Sequence, residues 1–266
     1  MSTFVIIIII VMIALKIVTT FRKPAKSKSK PYQNKPGGRN RNSRGKSGAV
    51  SHIPTIDELS LEHKAYVEEW NDSLHKERIH GLPGFSLEET FGTRGAIGAK
   101  GELKTAKILN ELCFKYPELR VHHGVHLKGC DWDLDHIVIL GNTAIIIDTK
   151  VWKGGYTYSV RKKKGDDLIF VRDGKEFKGG EVHLKGMVKK FKRSYPTEKL
   201  FSVLSLTNEK CAIKDNSPYG IDVISLKTLG EHINNILDNV EVNTEAPTKT
   251  DLGSYCLDLA LVRDRV

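Results

Sequence analysis

The sequence has little cysteine and few of the common nucleotide or hydrolase motifs. Its four cysteines are scattered and form no CxxC pair. Such spacing disfavours a disulfide framework or a zinc knuckle and favours a reducing compartment. The glycine-rich segment 92–102 contains no G-x-x-x-x-G-K-[ST] motif, and no G-x-S-x-G occurs, so neither a P-loop nor a serine hydrolase of that class is supported.

Acidic side chains are absent from residues 1–50, which carry eleven Lys or Arg. Residues 51–266 carry 31 basic and 32 acidic side chains, so their formal net charge is −1. The net charge of +10 therefore comes from the N-terminal segment, and the remainder is close to neutral. With 39% hydrophobic and 28% charged residues, the composition is that of a globular protein.

One long hydrophobic run covers residues 4–21, and Lys16 is its only charge. As a helix, this run would extend about 27 Å, the thickness of a bilayer's hydrocarbon core. A cleaved signal peptide is disfavoured, because no positive segment precedes the run and no A-x-A site follows it. We predict an uncleaved transmembrane anchor over residues 1–21. The positive charge follows the run, so the rest of the chain is expected in the cytoplasm.

Residues 22–52 are mostly Lys, Arg, Ser, Gly, Pro and Asn, a composition that predicts a disordered linker. Its positive charge suits anionic lipid at the membrane surface and equally suits the phosphates of a nucleic acid. Both partners stay open. A helical lead-in is expected over residues 53–92, with a polar helix at about 58–79.

The remaining chain alternates between helical and strand patterns. In a helix at about 99–115, Glu102 shares a face with Ala106, Leu109 and Cys113, so its carboxylate is expected to point inward from the first turn. Further helices are expected at about 181–195 and 226–238. Strands are expected at about 120–127, 132–140, 143–150, 156–160, 168–172, 200–206 and 221–225.

Two of these strands flank Gly141 and Asn142, which suit a two-residue hairpin turn of type II′. In that register Asp135 faces Asp148, and Asp133 faces Lys150. Both faces of the hairpin are otherwise largely apolar, which predicts a central pair covered on two sides. The apolar pattern stops at one end, on the face that carries the two aspartates and the lysine.

Like charges at the edge of a core require compensation. One possibility is a structural ion cluster, in which Lys150 pairs with Asp133 and Asp148. The other is a hard divalent cation between Asp135 and Asp148, since Mg²⁺ binds through one or two carboxylates plus waters. A three-residue loop would separate the two aspartates, and Asp133 could then replace Asp135.

Three segments, GAKGE (98–102), DLDHIVIL (133–140) and IIIDTKVWKGGY (145–156), resemble the PD-(D/E)xK nucleases. The similarity is greatest to the nuclease-related domain, NERD, over roughly residues 95–225. The resemblance implies an α/β fold with a restriction-endonuclease-like αβββαβ core and a mixed central sheet, preceded here by the transmembrane helix. We assign residues 93–240 to this domain and 241–266 to a C-terminal extension.

The resemblance also implies roles for individual residues. Asp135 and Asp148 would bind Mg²⁺ or Mn²⁺, with Glu102 as a supporting ligand and the Thr149 backbone carbonyl as a further oxygen. Lys150 would position or polarise the attacking water. Asp148 stands where many relatives have Glu, and its shorter side chain could change the metal distance.

Other features have two interpretations each. Lys185, Lys189 and Lys190 on the basic helix could contact phosphates or form a solvated face. Trp132 and Trp152 could pack in the core or stack on bases. A zinc site is disfavoured, because the spacing of the nearby ligand-type residues shows no tetrahedral pattern; these residues are His122, His123, His126, Cys130 and His136.

We therefore expect a membrane-anchored, metal-dependent nuclease that hydrolyses phosphodiester bonds, most readily in DNA, with RNA as the other substrate class. The alternative is a non-catalytic module of the same fold that binds nucleic acid or a protein while tethered to the membrane.

Overall fold

The structure is a computed structural model that describes residues 59–70, 77–85, 93–127, 133–162, 168–194, 197 and 199–240. The expected anchor (1–21), linker (22–52) and C-terminal extension (241–266) lie outside these residues. Within the described part of the chain, no helix combines the length and the apolar character needed to cross a membrane.

The described elements form an α/β fold. In chain order they are α1 (Leu61–Glu69), β1 (Ile79–His80), α2 (Thr93–Lys115), β2 (Arg120–His126), β3 (Asp133–Leu140), β4 (Thr143–Lys150), β5 (Thr157–Lys162), β6 (Leu168–Arg172), β7 (Lys175–Val182), α3 (Leu184–Ser194), β8 (Lys199–Leu206), β9 (Ala212–Ile213), a 3₁₀ turn (Pro218–Gly220), β10 (Asp222–Ser225) and α4 (Leu226–Leu237).

A mixed six-stranded sheet has the order β1-β2-β3-β4-β8-β10. Strands β2, β3 and β4 are antiparallel neighbours, whereas β8 runs parallel to both β4 and β10. A second sheet has the order β7-β6-β5-β9. The order α2, β2, β3, β4, α3, β8 matches the expected αβββαβ succession, with strands of the second sheet inserted after β4.

Two hydrophobic cores cover the two faces of the large sheet. On one face, Ile145 and Ile147 of β4 pack with apolar residues of α1, α2 and α4. On the other face, Ala144 and Ile146 pack with α3 and with the second sheet. The apolar residues on both faces of β4 thus produce the central, doubly covered strand that the sequence predicts.

Three expected elements differ from the structure. The helix expected at 58–79 does not continue to its expected end, because residues 79–80 form a strand parallel to β2. Helix α2 begins at Thr93, so Glu102 lies well inside the helix and not in its first turn. Strand β7 was not expected, and α3 begins at Leu184 because Glu181 and Val182 still pair with β6.

Helix α2 crosses the ends of β4 and β8 closely at Gly101. A Cβ added there would lie 2.4 Å from Cγ2 of Val151, just after β4, and 3.4 Å from Cγ2 of Thr207, just after β8. The absence of a side chain at this position therefore lets the helix approach the sheet. Glu102, the next residue, is carried to the end of the strand pair.

Candidate active site

Asp148 and Lys150 form an ion pair at the end of β4. Strand residues two apart share a face, so both side chains project from the face that buries Ala144 and Ile146. The Lys150 Nζ lies 2.9 Å from Oδ1 and 2.8 Å from Oδ2 of Asp148. The Asp148 side chain is 6% exposed and that of Lys150 is 26% exposed, so the pair lies at the border between core and solvent.

Asp135 lies beside this pair because the hairpin has the expected register. Ile137 pairs with Ile146, and Leu140 pairs with Thr143, across a turn in which Gly141 has a φ of 52°. Counted from the turn, the last paired residues of the two strands are His136 and Ile147, so Asp135 lies one residue beyond the paired region. The Asp135 Oδ2 accepts a hydrogen bond of 2.6 Å from the backbone N–H of Thr149.

The two aspartates interact strongly enough to change the proton affinity of Asp135. Burial, and then the neighbouring Asp148, raise the pKa of Asp135 to about 8, while Lys150 and the Thr149 N–H act in the opposite direction. For Lys150, burial alone would lower the pKa, but Asp148 and Asp135 outweigh this effect and hold it above its usual value.

Glu102 belongs to the same electrostatic cluster, although it comes from a helix on the opposite side of the sheet. Its side chain is buried, and burial raises its pKa well above the usual value, with Asp135 as the second cause. Lys150 and a hydrogen bond from the Gly84 backbone oppose this rise. The three acidic side chains and the lysine are therefore brought together.

The donor set suits a hard divalent cation, because it presents carboxylate oxygens whose mutual repulsion is only partly offset by one ammonium. In the described part of the chain, no group of three or more His, Cys, Asp or Glu side chains is arranged as a metal cluster. Two carboxylates completed by water match the usual Mg²⁺ site better than a cage made only of protein ligands.

Two further expectations concern the ends of these strands. The expected ion cluster joined Lys150 to both Asp148 and Asp133. The pair with Asp148 is formed. Asp133 was expected to face Lys150, but the paired residues of β3 and β4 extend only from Leu140 to His136 and do not include Asp133. The Thr149 side chain is buried on the other face, where its hydroxyl meets His136 at 3.2 Å. The Thr149 carbonyl stays a predicted ligand.

Among the described residues, the histidines near the site contact one another in pairs. Strand β2, which carries His122 and His123, lies between β1 and β3. His123 Nδ1 lies 2.8 Å from His136 Nδ1, and the His122 ring stacks on His80 with centroids 4.7 Å apart. The sequence shows histidines in two adjacent strands, but which of them meet depends on the register between β2 and β3.

Trp152 is a core residue. It is 6% exposed, stacks on Tyr158 at 4.9 Å between centroids, and donates its Nε1 hydrogen to the Gly179 carbonyl at 3.2 Å. These contacts support the packing interpretation and leave the ring no free face for a base. Trp132 lies outside the described residues.

Basic side chains lie on the carboxylate side of the large sheet. Helix α3 buries Leu184, Met187 and Phe191 in the core beneath that face and carries five Lys or Arg and no acidic residue. Lys185, Lys189 and Lys190 are among these five. The structure therefore brings the helix and the acidic cluster to one side of the sheet.

No curated protein and no solved structure gives a significant match to this chain. The family model described as "Nuclease-related domain" does match, over residues 97–207. This range includes the acidic cluster and every element from α2, without its first residues, to β8. The resemblance indicated by the three sequence segments is thereby confirmed: residues 97–207 of this chain are similar to the nuclease-related (NERD) domain.

Proposed function

We propose that this protein is a metal-dependent nuclease that hydrolyses phosphodiester bonds, with DNA as its principal substrate. The observation that carries the proposal is the cluster of Asp135, Asp148 and Lys150 at the end of the central hairpin, with Glu102 beside it. A purely structural ion pair requires one carboxylate for one lysine, whereas this cluster gathers three carboxylates around one ammonium.

The chain's own side chains have distinct tasks in this proposal. Asp135 and Asp148 hold Mg²⁺ or Mn²⁺, and Glu102 supports the site from the opposite helix. The bound ion would act as a Lewis acid on the phosphodiester and acidify water. Lys150, held by both oxygens of Asp148, orients the attacking water and offsets the negative charge that develops on the phosphate.

The preference for a nucleic acid polyanion rests on charge. Helix α3, which packs on the face of the sheet that carries Asp148 and Lys150, contains five Lys or Arg, and residues 1–50 contain eleven more. We propose that Lys185, Lys189 and Lys190 contact phosphates of the bound strand. Neutralising phosphates releases counterions, so binding should weaken steeply as salt is raised.

The decisive experiment uses the full chain, purified in detergent, with plasmid DNA, linear DNA and RNA as substrates. Cleavage is expected with Mg²⁺ or Mn²⁺ and not with EDTA. The variants Asp148→Ala and Lys150→Ala should each lose at least about 100-fold in rate. Lys115→Ala, at the far end of α2, is the matched control and should cut like the wild type.

The rival function is a non-catalytic module that binds nucleic acid or a protein. The close Lys150–Asp148 pair would also serve such a module, because an ion pair alone stabilises a strand end. Retained DNA binding without cleavage under any metal ion would favour the rival and overturn the nuclease.

For location, we propose that residues 4–21 anchor the protein in a membrane, with the nuclease domain in the cytoplasm and the basic linker near anionic lipid. The support is the length of the apolar run and the positive charge that follows it. The full chain should sediment with membranes and resist carbonate extraction. Recovery in the soluble fraction would contradict the anchor.

A further inference from the structure

A continuous chain of buried polar side chains runs beneath the candidate site. Asn110 contacts Tyr66 at 2.8 Å and His123 at 2.9 Å. His123 contacts His136 at 2.8 Å, and His136 contacts Thr149 at 3.2 Å. All five side chains are buried.

The chain continues from β4 to α2 and β8. The Thr149 Oγ1 lies 3.2 Å from Oγ1 of Thr105, which lies 3.5 Å from Oγ of Ser205. Thr105 and Ser205 are both fully buried. Thr105 is three residues after Glu102, so this link joins the helix that carries Glu102 to the strand that carries Asp148 and Lys150.

The contact between the two Nδ1 atoms links the proton positions along the chain. At 2.8 Å the two Nδ1 atoms are within hydrogen-bond distance, so one of them carries a hydrogen and the other does not. Both rings are fully buried, an environment that favours the neutral imidazole. A neutral imidazole has one N–H, so one ring donates through Nδ1 and the other accepts there.

Only two hydrogen-bond orders satisfy this rule. When the Asn110 amide oxygen accepts from His123, His136 accepts from the Thr149 hydroxyl. When Thr149 instead donates to Thr105, His136 donates to Thr149 and accepts from His123 at Nδ1. His123 Nε2 is then an acceptor, so this second order requires the Asn110 amide group to be reversed, with its nitrogen in place of Oδ1. In both orders the Thr149 hydroxyl is held by the His136 ring.

Thr149 is the residue through which this chain meets the candidate site. Its side chain points to the face of the sheet covered by α1, α2 and α4, whereas Asp148 and Lys150 point to the face covered by α3 and the second sheet. Its backbone N–H donates to Asp135 at 2.6 Å. Fixing the hydroxyl from one side therefore fixes the backbone that holds the three charged groups on the other side.

We propose that His123 and His136 are positioning residues, which hold Thr149, and through it Asp135, Asp148 and Lys150, in the geometry that the reaction requires. This inference rests on the proposed nuclease function for its kinetic consequence. Its structural consequence is independent of that function: the Thr149 N–H, which donates to Asp135, should be protected from hydrogen exchange with solvent.

The test compares Thr149→Val, which keeps the shape and removes the hydroxyl, with Thr149→Ser, which restores the hydroxyl. In the purified full chain, Thr149→Val should lower kcat by about 10- to 100-fold, the usual effect of removing a supporting hydrogen bond. Its KM for DNA should change less than about threefold, because the loss is in orientation and not in substrate binding. Thr149→Ser should recover most of kcat.

A second readout does not require cleavage. Hydrogen–deuterium exchange, resolved at residue 149 by mass spectrometry, should be faster in Thr149→Val than in both the wild type and Thr149→Ser. Should the wild type not cut DNA, the proposed function fails, and this exchange rate alone decides the positioning role. Unchanged exchange at residue 149 would overturn the inference.

Two controls separate positioning from general loss of stability. Val203→Ala creates a cavity in the core at β8 and removes no polar group. If it lowers the free energy of unfolding as much as Thr149→Val does, it should still leave kcat unchanged. An equal loss of kcat in Val203→Ala would overturn the inference. Should Thr149→Val not fold, Thr105→Val and Thr105→Ser repeat the comparison from α2, with the same expected order.

Discussion

The Lys150 Nζ lies within 2.9 Å of both carboxylate oxygens of Asp148, two residues earlier on the same strand. A lysine and an aspartate on one face of a strand end can pair in any protein. Here the pair adjoins Asp135 and Glu102, so the one ammonium is shared among three acidic groups. Removing the lysine and removing an acid should therefore have opposite consequences for stability.

Replacing the lysine should destabilise the protein. Lys150→Met leaves the buried Asp148 without its cation, and we expect the free energy of unfolding at pH 7 to fall by about 2 kcal/mol, less than for a fully buried pair because Lys150 is partly exposed. Urea unfolding of the full chain measures this. The control is Lys100→Met, whose partner Glu62 is 54% exposed, so no measurable loss is expected. Equal losses in both variants would contradict a buried pair.

Replacing an acid should instead cost function and not stability. Burial and Asp148 oppose the charged form of Asp135, so its neutral replacement in Asp135→Asn should leave the metal-free variant at least as stable as the wild type. Mg²⁺ or Mn²⁺ should raise the melting temperature of the wild type, since a ligand that binds only the folded state stabilises it. That rise should be lost in Asp135→Asn and retained in the exposed control Asp215→Asn. An equal rise in all three proteins would show that Asp135 does not bind the ion.

The hairpin at the centre of the candidate site follows from local sequence. Gly141 supplies the positive φ that the first turn position requires, and the apolar residues on both faces fix the strand pair as central. With two loop residues, the register follows from counting along the two strands. The sequence alone therefore predicts that Asp135 and Asp148 lie together.

The features that were missed depend on distant parts of the chain. Strand β7 contains two glycines and several charged residues, and it becomes a strand only because β6 offers it a partner. The polar chain below Thr149 joins residues as distant in sequence as Tyr66 and Thr149. No local pattern indicates that two histidines will meet at Nδ1, since this depends on the β2–β3 register.

Buried histidines should make the protein sensitive to acid. Burial lowers the pKa of His122 to about 3 from its usual value of 6.5. Between these two pH values the unfolded chain binds a proton that the folded chain does not, so stability falls as pH falls. Each such histidine contributes up to about 1.4 kcal/mol per pH unit.

The variant His122→Gln should therefore lose less stability than the wild type when urea unfolding is compared at pH 7 and pH 4.5. The raised pKa of Asp135 has the opposite effect, because its bound proton is lost as pH rises through about 8. This contribution is present in both proteins and cancels in the comparison. Identical pH dependence in the two proteins would show that His122 takes up its proton while folded.

The close approach of α2 to the end of β4 gives a prediction whose sign depends on one neighbouring side chain. In Gly101→Ala, the new Cβ would lie 2.4 Å from Cγ2 of Val151, so the helix must shift or Val151 must turn, and we expect a loss of about 1 kcal/mol. In a Val151→Ala background that clash is absent, and the higher helix propensity of alanine should make the same substitution stabilising by up to about 1 kcal/mol. Urea unfolding of the four proteins completes the cycle. A loss of equal size in both backgrounds would mean that the approach of α2 to Val151 does not limit position 101.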